Sequence, residues 1–205
     1  MKTVVFDLGN VLIAWDPHPA IAAAVGSKGA RAFLDDPDFD FPGWNLRQDA
    51  GRTWAVAEQE ATGTHPHYAD EIVAYRHNFG VSLRGPIEGT VAILTELHQA
   101  GVVLFGLTNW SAELFGEALD RYPFLGLFAD IIVSGHEGVA KPDPEIFAIL
   151  RRRLRDVGTL AEVVFVDDNP ANVRAATRAG IDTIAFTDPT ELRSQLCARG
   201  LPLTG

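Results

Sequence analysis

The chain reads as an α/β protein: a parallel sheet covered on both faces by helices, with a small helical segment inserted after the first strand. Two observations predict this. Five short apolar runs, Thr3–Asp7, Val102–Leu107, Asp130–Val133, Val163–Val166 and Thr183–Phe186, have the length and residue types of buried strands. Helical spacing of apolar residues alternates with the last four, and such alternation makes crossovers that cover both faces of a parallel sheet.

Taken in order, the first run drives straight into one carboxylate, Asp7, and Gly9 follows two positions later. In an α/β sheet the carboxyl end of a strand is where ligands bind. From about Asp16 to Gly85 the pattern changes to helical periodicity without a convincing strand. Ile21, Ala22 and Val25 suggest one helix, Trp54, Ala57 and Ala61 a second, and Ile72, Val73 and Tyr75 through Phe79 a third. Pro17 and Pro19 mark the start of this insert, and Gly80, Gly85 and Pro86 its end. The expected division is a core of residues 1–15 and 86–205 with a helical cap of residues 16–85 above Asp7, jointed at both ends so that it can act as a lid.

The rest of the core follows the strand–helix rhythm. Ile87, Val91, Leu94 and Leu97 precede the second strand, and Leu114, Ala118 and Leu119 follow it. Ile146, Phe147, Ile149, Leu150 and Leu154 form an apolar stripe introduced by Pro142-Asp143-Pro144, a helix-start signal. Val173, Ala176 and Ala179 form another, closed by Gly180 as a C-cap.

Four strand ends carry polar groups: Asp7, Thr108-Asn109, Lys141 after the third strand, and Asp167-Asp168. These types suit phosphoryl transfer. An anion attacks a phosphate monoester reluctantly, and a cation between the two removes the repulsion. Few carboxylates and oxygen-only ligation suit magnesium. Asp7 would be ligand and nucleophile, Asp167 and Asp168 would complete the metal shell, Lys141 would add a fixed positive charge, and Thr108 would donate a hydrogen bond to a phosphoryl oxygen. Thr108-Asn109 also fits a helix N-cap, a role compatible with the first.

Composition sets the bounds. No apolar run approaches the roughly 20 residues that span a bilayer, and Asp7 interrupts a stretch already too short for a signal peptide. The single cysteine, Cys197, excludes an internal disulfide and fits a reducing, cytoplasmic setting as inert packing. A formal charge of −10 argues against nucleic-acid binding; the basic run Arg151-Arg152-Arg153 reads as a solvated helix face. No glycine cluster offers a dinucleotide fingerprint.

The segments Phe6-Asp-Leu-Gly-Asn-Val-Leu12, Leu107-Thr-Asn109, Val139-Ala-Lys-Pro-Asp-Pro-Glu-Ile-Phe147 and Val166-Asp-Asp-Asn-Pro-Ala-Asn-Val173 resemble, in order and spacing, the motifs of the haloacid dehalogenase-like (HAD) hydrolases, most of which are magnesium-dependent phosphatases. The first motif is similar to that of a branch resembling sugar-phosphate phosphatases. The resemblance implies a Rossmann-like core with a small cap, Asp7 as nucleophile, and the Gly9 carbonyl in a Mg²⁺ site. It makes Asp168 the direct metal ligand, with Asp167 acting directly or through water. Thr108 and Asn109 would hold phosphate, and Lys141 would pair with Asp7 and the phosphoryl group.

One position departs from the pattern. The family commonly has a second Asp two residues after the nucleophile, which protonates the leaving group and then activates water; here it is Gly9. Such help is typically worth about 10²–10⁴-fold. Asp16, on the first joint, is the candidate substitute acid and a substrate-binding residue. His18 on that joint faces either substrate or solvent, and His65 and His67 read as solvated loop residues. Trp15, Trp44, Arg47 and Trp110 either line the site or form the insert's core. The expected function is hydrolysis of a small phosphorylated metabolite, a sugar phosphate or nucleotide, through an aspartyl-phosphate, with no nucleic-acid or membrane partner. Two alternatives stand beside it: a dehalogenase of the same fold, and a non-catalytic binding or regulatory protein that lost turnover at Gly9.

Overall fold

Asp7 stands at the carboxyl end of the middle strand of a five-stranded parallel sheet. The computed structural model describes residues 3–155 and 158–203. In chain order β1 (Thr3–Phe6) leads through a tight loop to β2 (Ile13–Trp15), and then the helical insert begins. It comprises α1 (His18–Leu34), α2 (Phe41–Asp49), α3 (Trp54–Thr64), α4 (Ala69–His77) and α5 (Phe79–Ser82), and β3 (Leu83–Pro86) returns the chain to the core. There follow α6 (Glu88–Gln99), β4 (Leu104–Thr108), α7 (Phe115–Arg121), β5 (Asp130–Val133), α8 (Ser134–Glu137) and α9 (Pro144–Arg153). The chain closes with β6 (Val163–Asp167), α10 (Pro170–Arg178), β7 (Asp182–Ala185) and α11 (Pro189–Ala198).

The sheet order is β5-β4-β1-β6-β7, and every neighbouring pair is parallel. Period-two alternation on β1 sorts its side chains between two cores. Val4 and Phe6 join the larger cluster, which extends into the insert, while Val5 packs with Phe105, Phe165, Phe147 and Leu150 on the opposite face. The Pro142-Asp143-Pro144 signal works as expected: Asp143 caps α9 by accepting from the Glu145 N–H at 2.8 Å. The sheet register places Thr108, Asp7 and Asp167 beside one another, because β4, β1 and β6 are adjacent.

The insert differs from expectation in three respects. Its two ends pair as antiparallel β2 and β3, a ladder too short to show a periodicity. The first helix bends at Gly26, whose φ of 74° leaves the helical region. An additional helix, α2, starts with Phe41-Pro42-Gly43 and is capped by the Asp40 side chain on the Gly43 N–H. An aromatic cluster of Phe33, Phe39, Phe41, Trp44, Trp54 and Tyr75 fills the insert, with edge and tilted ring contacts throughout. In the core, Leu119 turns outward and is half exposed despite its place in the expected stripe. Among the described residues no helix is long and apolar enough to cross a membrane.

Candidate active site

The main chain of Asp7 continues the sheet ladder one residue past β1, its N–H donating to the Val166 carbonyl at 2.8 Å. The side chain is therefore held at the sheet edge. Its Oδ1 accepts from the Leu8 N–H at 2.7 Å and lies 3.0 Å from Lys141 Nζ. Lys141 is buried, and its ammonium also donates to Asp167 Oδ2 and to the Leu107 carbonyl, each at 2.7 Å. Three donors thus meet three acceptors, one from each of the adjacent strand ends.

Asn109 explains how a loop lysine is placed there. Its Oδ1 accepts from the Lys141 N–H and its Nδ2 donates to the Lys141 carbonyl, both at 2.8 Å. Asn109 therefore fixes the Lys141 backbone, a role that the sequence pattern does not reveal. Asp167 is fixed just as fully. Besides Lys141 it accepts from the Asn169 N–H at 2.8 Å and from Asn172 Nδ2 at 3.1 and 3.2 Å. Asp168, in contrast, is exposed at the surface of the cavity above. Of the acidic pair it is the one with oxygens to spare.

Burial pushes the Asp7 carboxyl up to about 7, and the Asp167 and Asp168 charges push the same way, while Lys141 pulls it down without prevailing. Burial also raises Asp168, with Asp167 adding to the effect. Burial alone would lower the Lys141 ammonium, but the carboxylates of Asp7 and Asp167 outweigh it and hold its pKa above the ordinary value. Three carboxylates and one ammonium leave the cluster with excess negative charge in a poorly solvated place. Asp7, Asp167 and Asp168 each offer an oxygen within 4.8 Å of the others. An all-oxygen donor set with uncompensated charge fits a hard divalent cation.

Above Asp7 lies a cavity of about 210 Å³ between core and insert. The core side presents Asp7, Gly9, Asn109, Trp110 and Asp168; the insert side presents Asn45, Asp49, Trp54, Tyr75 and Phe79, with Trp15 at the joint. Three buried polar atoms at or near this space have no hydrogen-bond partner in the protein: Thr108 Oγ1, Trp110 Nε1 and Asn45 Oδ1. An unsatisfied buried group costs about 1–3 kcal/mol, so each is a place for a ligand atom or water. The insert is docked on the core by Trp54, which donates from Nε1 to Ser111 Oγ at 2.8 Å and from its backbone to Glu113.

A sequence model of the haloacid dehalogenase-like hydrolases matches residues 1–180. The chain belongs to this family. It is 28% identical to the sesquiterpene phosphatase astK of Aspergillus oryzae over 91% of this chain and 90% of that protein. It is also 28% identical to the drimenol cyclase drtB of Aspergillus calidoustus, but spans only 36% of that longer protein. Identity to the glyceraldehyde 3-phosphate phosphatase of Methanopyrus kandleri is 32%, covering 90% of this chain and 83% of the relative. The fold superposes on the HAD family enzyme bt-2542 of Bacteroides thetaiotaomicron with a TM-score of 0.73, at 20% identity over 92% and 94% of the two chains.

Within this HAD-like hydrolase, the structure brings Asp7, Lys141, Asp167 and Asp168 together and sets Thr108 and Gly9 beside them. It does not bring Asp16 there. Asp16 is exposed, its Oδ1 accepts from the His18 N–H at 2.9 Å, and it is absent from the cavity wall. That bond to the first residue of α1 holds its carboxyl at the entry of the insert, away from the cavity wall. His18 turns to Ser27, and His65 and His67 lie against Phe39 and Tyr68 in the insert. Trp15 and Trp110 line the cavity, Trp44 belongs to the aromatic core, and Arg47 lies outside the cavity wall. The residues missed from sequence were Asn45 and Asp49, which depend on recognising α2, and Asn172. The last could have been read as a polar residue on the apolar face of α10, where it is buried.

Proposed function

We propose that the chain is a magnesium-dependent phosphatase of small phosphorylated metabolites, working through a phosphoryl group carried on Asp7. The observation that carries this reading is the buried Asp7–Lys141–Asp167 cluster, with Asp168 open to the cavity and Thr108 Oγ1 left without a partner. Asp7, the Gly9 carbonyl and Asp168 would hold Mg²⁺, and Asp167 would orient Lys141 and support the cation directly or through water. Bound there, the cation neutralises the carboxylates and the phosphate and keeps Asp7 ionised. Asp7 Oδ attacks phosphorus and the ester P–O bond breaks on the far side. Lys141 balances charge at the acceptor carboxylate, and the Thr108 hydroxyl donates to a phosphoryl oxygen. The insert, residues 16–85, acts as the cap that excludes water and contacts the leaving group.

The cavity also narrows the substrate. Among the described residues its wall contains no lysine, arginine or histidine, whereas Trp15, Trp54, Tyr75 and Trp110 supply aromatic faces beside neutral amides. A second anionic group on the substrate would meet Asp49 and no counter-charge. We infer a phosphate ester of an uncharged alcohol, a sugar phosphate or a nucleoside monophosphate, over a substrate with a second anionic group. The phosphatases among the relatives support the reaction class. The test is Mg²⁺-dependent hydrolysis of p-nitrophenyl phosphate by the wild type against Asp7→Asn. Turnover that requires both Mg²⁺ and Asp7 is expected, and wild-type activity no higher than that of the mutant overturns the reading.

A further inference from the structure

An alkyl phosphate leaves as an alkoxide unless something protonates it, and the water that later attacks phosphorus must lose a proton. Gly9 has no side chain with which to do either. Three carboxyl groups face the cavity: Asp7, Asp168 and Asp49. The first accepts the phosphoryl group and the second faces the cation site, which leaves the third without a role. We propose that Asp49 is the proton donor to the leaving group and the base that then activates water, a function that rests on the phosphatase reading above.

Position supports this. In an in-line displacement the leaving group lies opposite Asp7, and opposite Asp7 stands the insert. Asp49 ends α2 on that side. Its Oδ2 accepts from Asn45 Nδ2 at 3.1 Å, and its carboxyl also accepts from the Ser111 N–H of the core. Its own carbonyl accepts from Ser134 Oγ, again of the core. The carboxyl is thus anchored from both sides and reaches this position only when the insert is docked. Burial raises its pKa to about 7, with the Ser111 bond pulling only weakly the other way, so it can both give and take a proton near neutrality. The other titratable groups facing it are Tyr75 and, across the cavity, Asp7 and Asp168. Tyr75 is a poor proton donor at neutral pH, because burial and the Asp49 charge hold its pKa well above 10.

The proton balance closes. The Asp7 oxygen bonds to phosphorus, the ester P–O bond breaks, and the leaving oxygen takes the proton of Asp49 to depart as an alcohol. The Asp49 carboxylate then removes a proton from water as its oxygen attacks phosphorus. The Asp7–phosphorus bond breaks, giving inorganic phosphate, the free Asp7 carboxylate and a protonated Asp49.

Position 9 provides the counter-test, because a Cβ built on Gly9 would meet nothing within 4 Å. Asp49→Asn should lower kcat/KM for an alkyl phosphate such as a hexose phosphate about 10²–10³-fold. For p-nitrophenyl phosphate, whose leaving group needs no proton, the loss in kcat/KM should stay within about threefold. Adding Gly9→Asp to Asp49→Asn should recover about tenfold or more on the alkyl substrate. A melting temperature for Asp49→Asn no lower than that of the wild type shows that the losses are chemical, and Asp49→Ser serves as a second variant if the first unfolds. Equal losses on both substrates, a change in KM alone, or full alkyl turnover in both variants would overturn the assignment. A wild type without Asp7-dependent turnover on any phosphate would instead sink the phosphatase reading.

Discussion

Replacing Lys141 with methionine keeps most of the apolar stem but removes an ammonium that lies 5.5 Å from the centre of the Phe165 ring, wedged between Asp7 and Asp167. Three contacts of 3.0, 2.7 and 2.7 Å are lost, to two carboxylates and the Leu107 carbonyl. Taking one partner from a buried ion pair costs about 3–5 kcal/mol, because the remaining charge is stranded. The sign with pH follows from proton uptake. Burial already raises Asp7 from 3.8 to about 7, and loss of Lys141 raises it further. The folded mutant then holds protons that the unfolded chain has released, so its stability falls as pH rises through that range. In chelator, at pH 8, the mutant should lose about 3–5 kcal/mol. At pH 5.5 the Asp7 carboxyl is protonated and no longer stranded as a charge, so the loss shrinks toward the roughly 1–3 kcal/mol of an orphaned buried acceptor. At roughly 2–4 °C per kcal/mol for a chain of this size, the melting temperature at pH 8 drops by about 6–20 °C. Urea denaturation at both pH values measures the difference. A loss below about 1 kcal/mol at pH 8, or one independent of pH, would refute the picture of a charge held between two buried carboxylates.

Chelation should abolish turnover, while Mg²⁺ at about 100 times its Kd should stabilise the chain by about 2.7 kcal/mol in a thermal melt and do so far less in Asp168→Asn. Asn109→Ala should orphan the Lys141 N–H and carbonyl, lowering the melting temperature by several degrees, and should lower kcat on p-nitrophenyl phosphate about tenfold, since the loosened lysine no longer meets Asp7 in one geometry. Burial raises Asp49 from 3.8 to about 7, so the folded state keeps its proton longer than the unfolded chain. Its contribution is therefore full below about pH 4 and declines as pH rises through 7, and urea denaturation of Asp49→Asn should show a shallower fall in stability over that interval than the wild type.

The five strands of the main sheet were legible because a strand buried on both faces is written as a continuous apolar run, as in Val163–Val166. Their bounds moved by one or two residues where a polar residue such as Thr108 or Asp167 still carries ladder bonds. Asp7, Lys141 and Asp168 could be selected for their residue types at strand ends, and their order in the chain made the family recognisable. The β2–β3 pair was hidden, since three or four residues including Gly85-Pro86 carry no pattern and pair only because the ends of the insert meet. Helix α2 was hidden for a different reason. Pro42 and Gly43 disguise its first turn, and its apolar residues Phe41 and Trp44 make a single contact row. Asp49 is hidden with it, because only the fold carries the end of α2 to the cavity, whereas Asp16 is close to Asp7 in the chain and yet absent from the cavity wall.

That short β2–β3 ladder has an evolutionary consequence. Because the two ends of the insert leave and rejoin the sheet side by side, the core closes around a single junction whatever lies beyond it. Loop-closure entropy grows so slowly that lengthening such an excursion eightfold, to roughly the seventy residues between Trp15 and Leu83, costs only about 2 kcal/mol. The excursion also carries an aromatic core of its own, which can more than offset that cost. The chemistry at the sheet edge and the selectivity above it are therefore separately heritable: the insert can be rebuilt or exchanged at this junction without disturbing the register that aligns Thr108, Asp7 and Asp167.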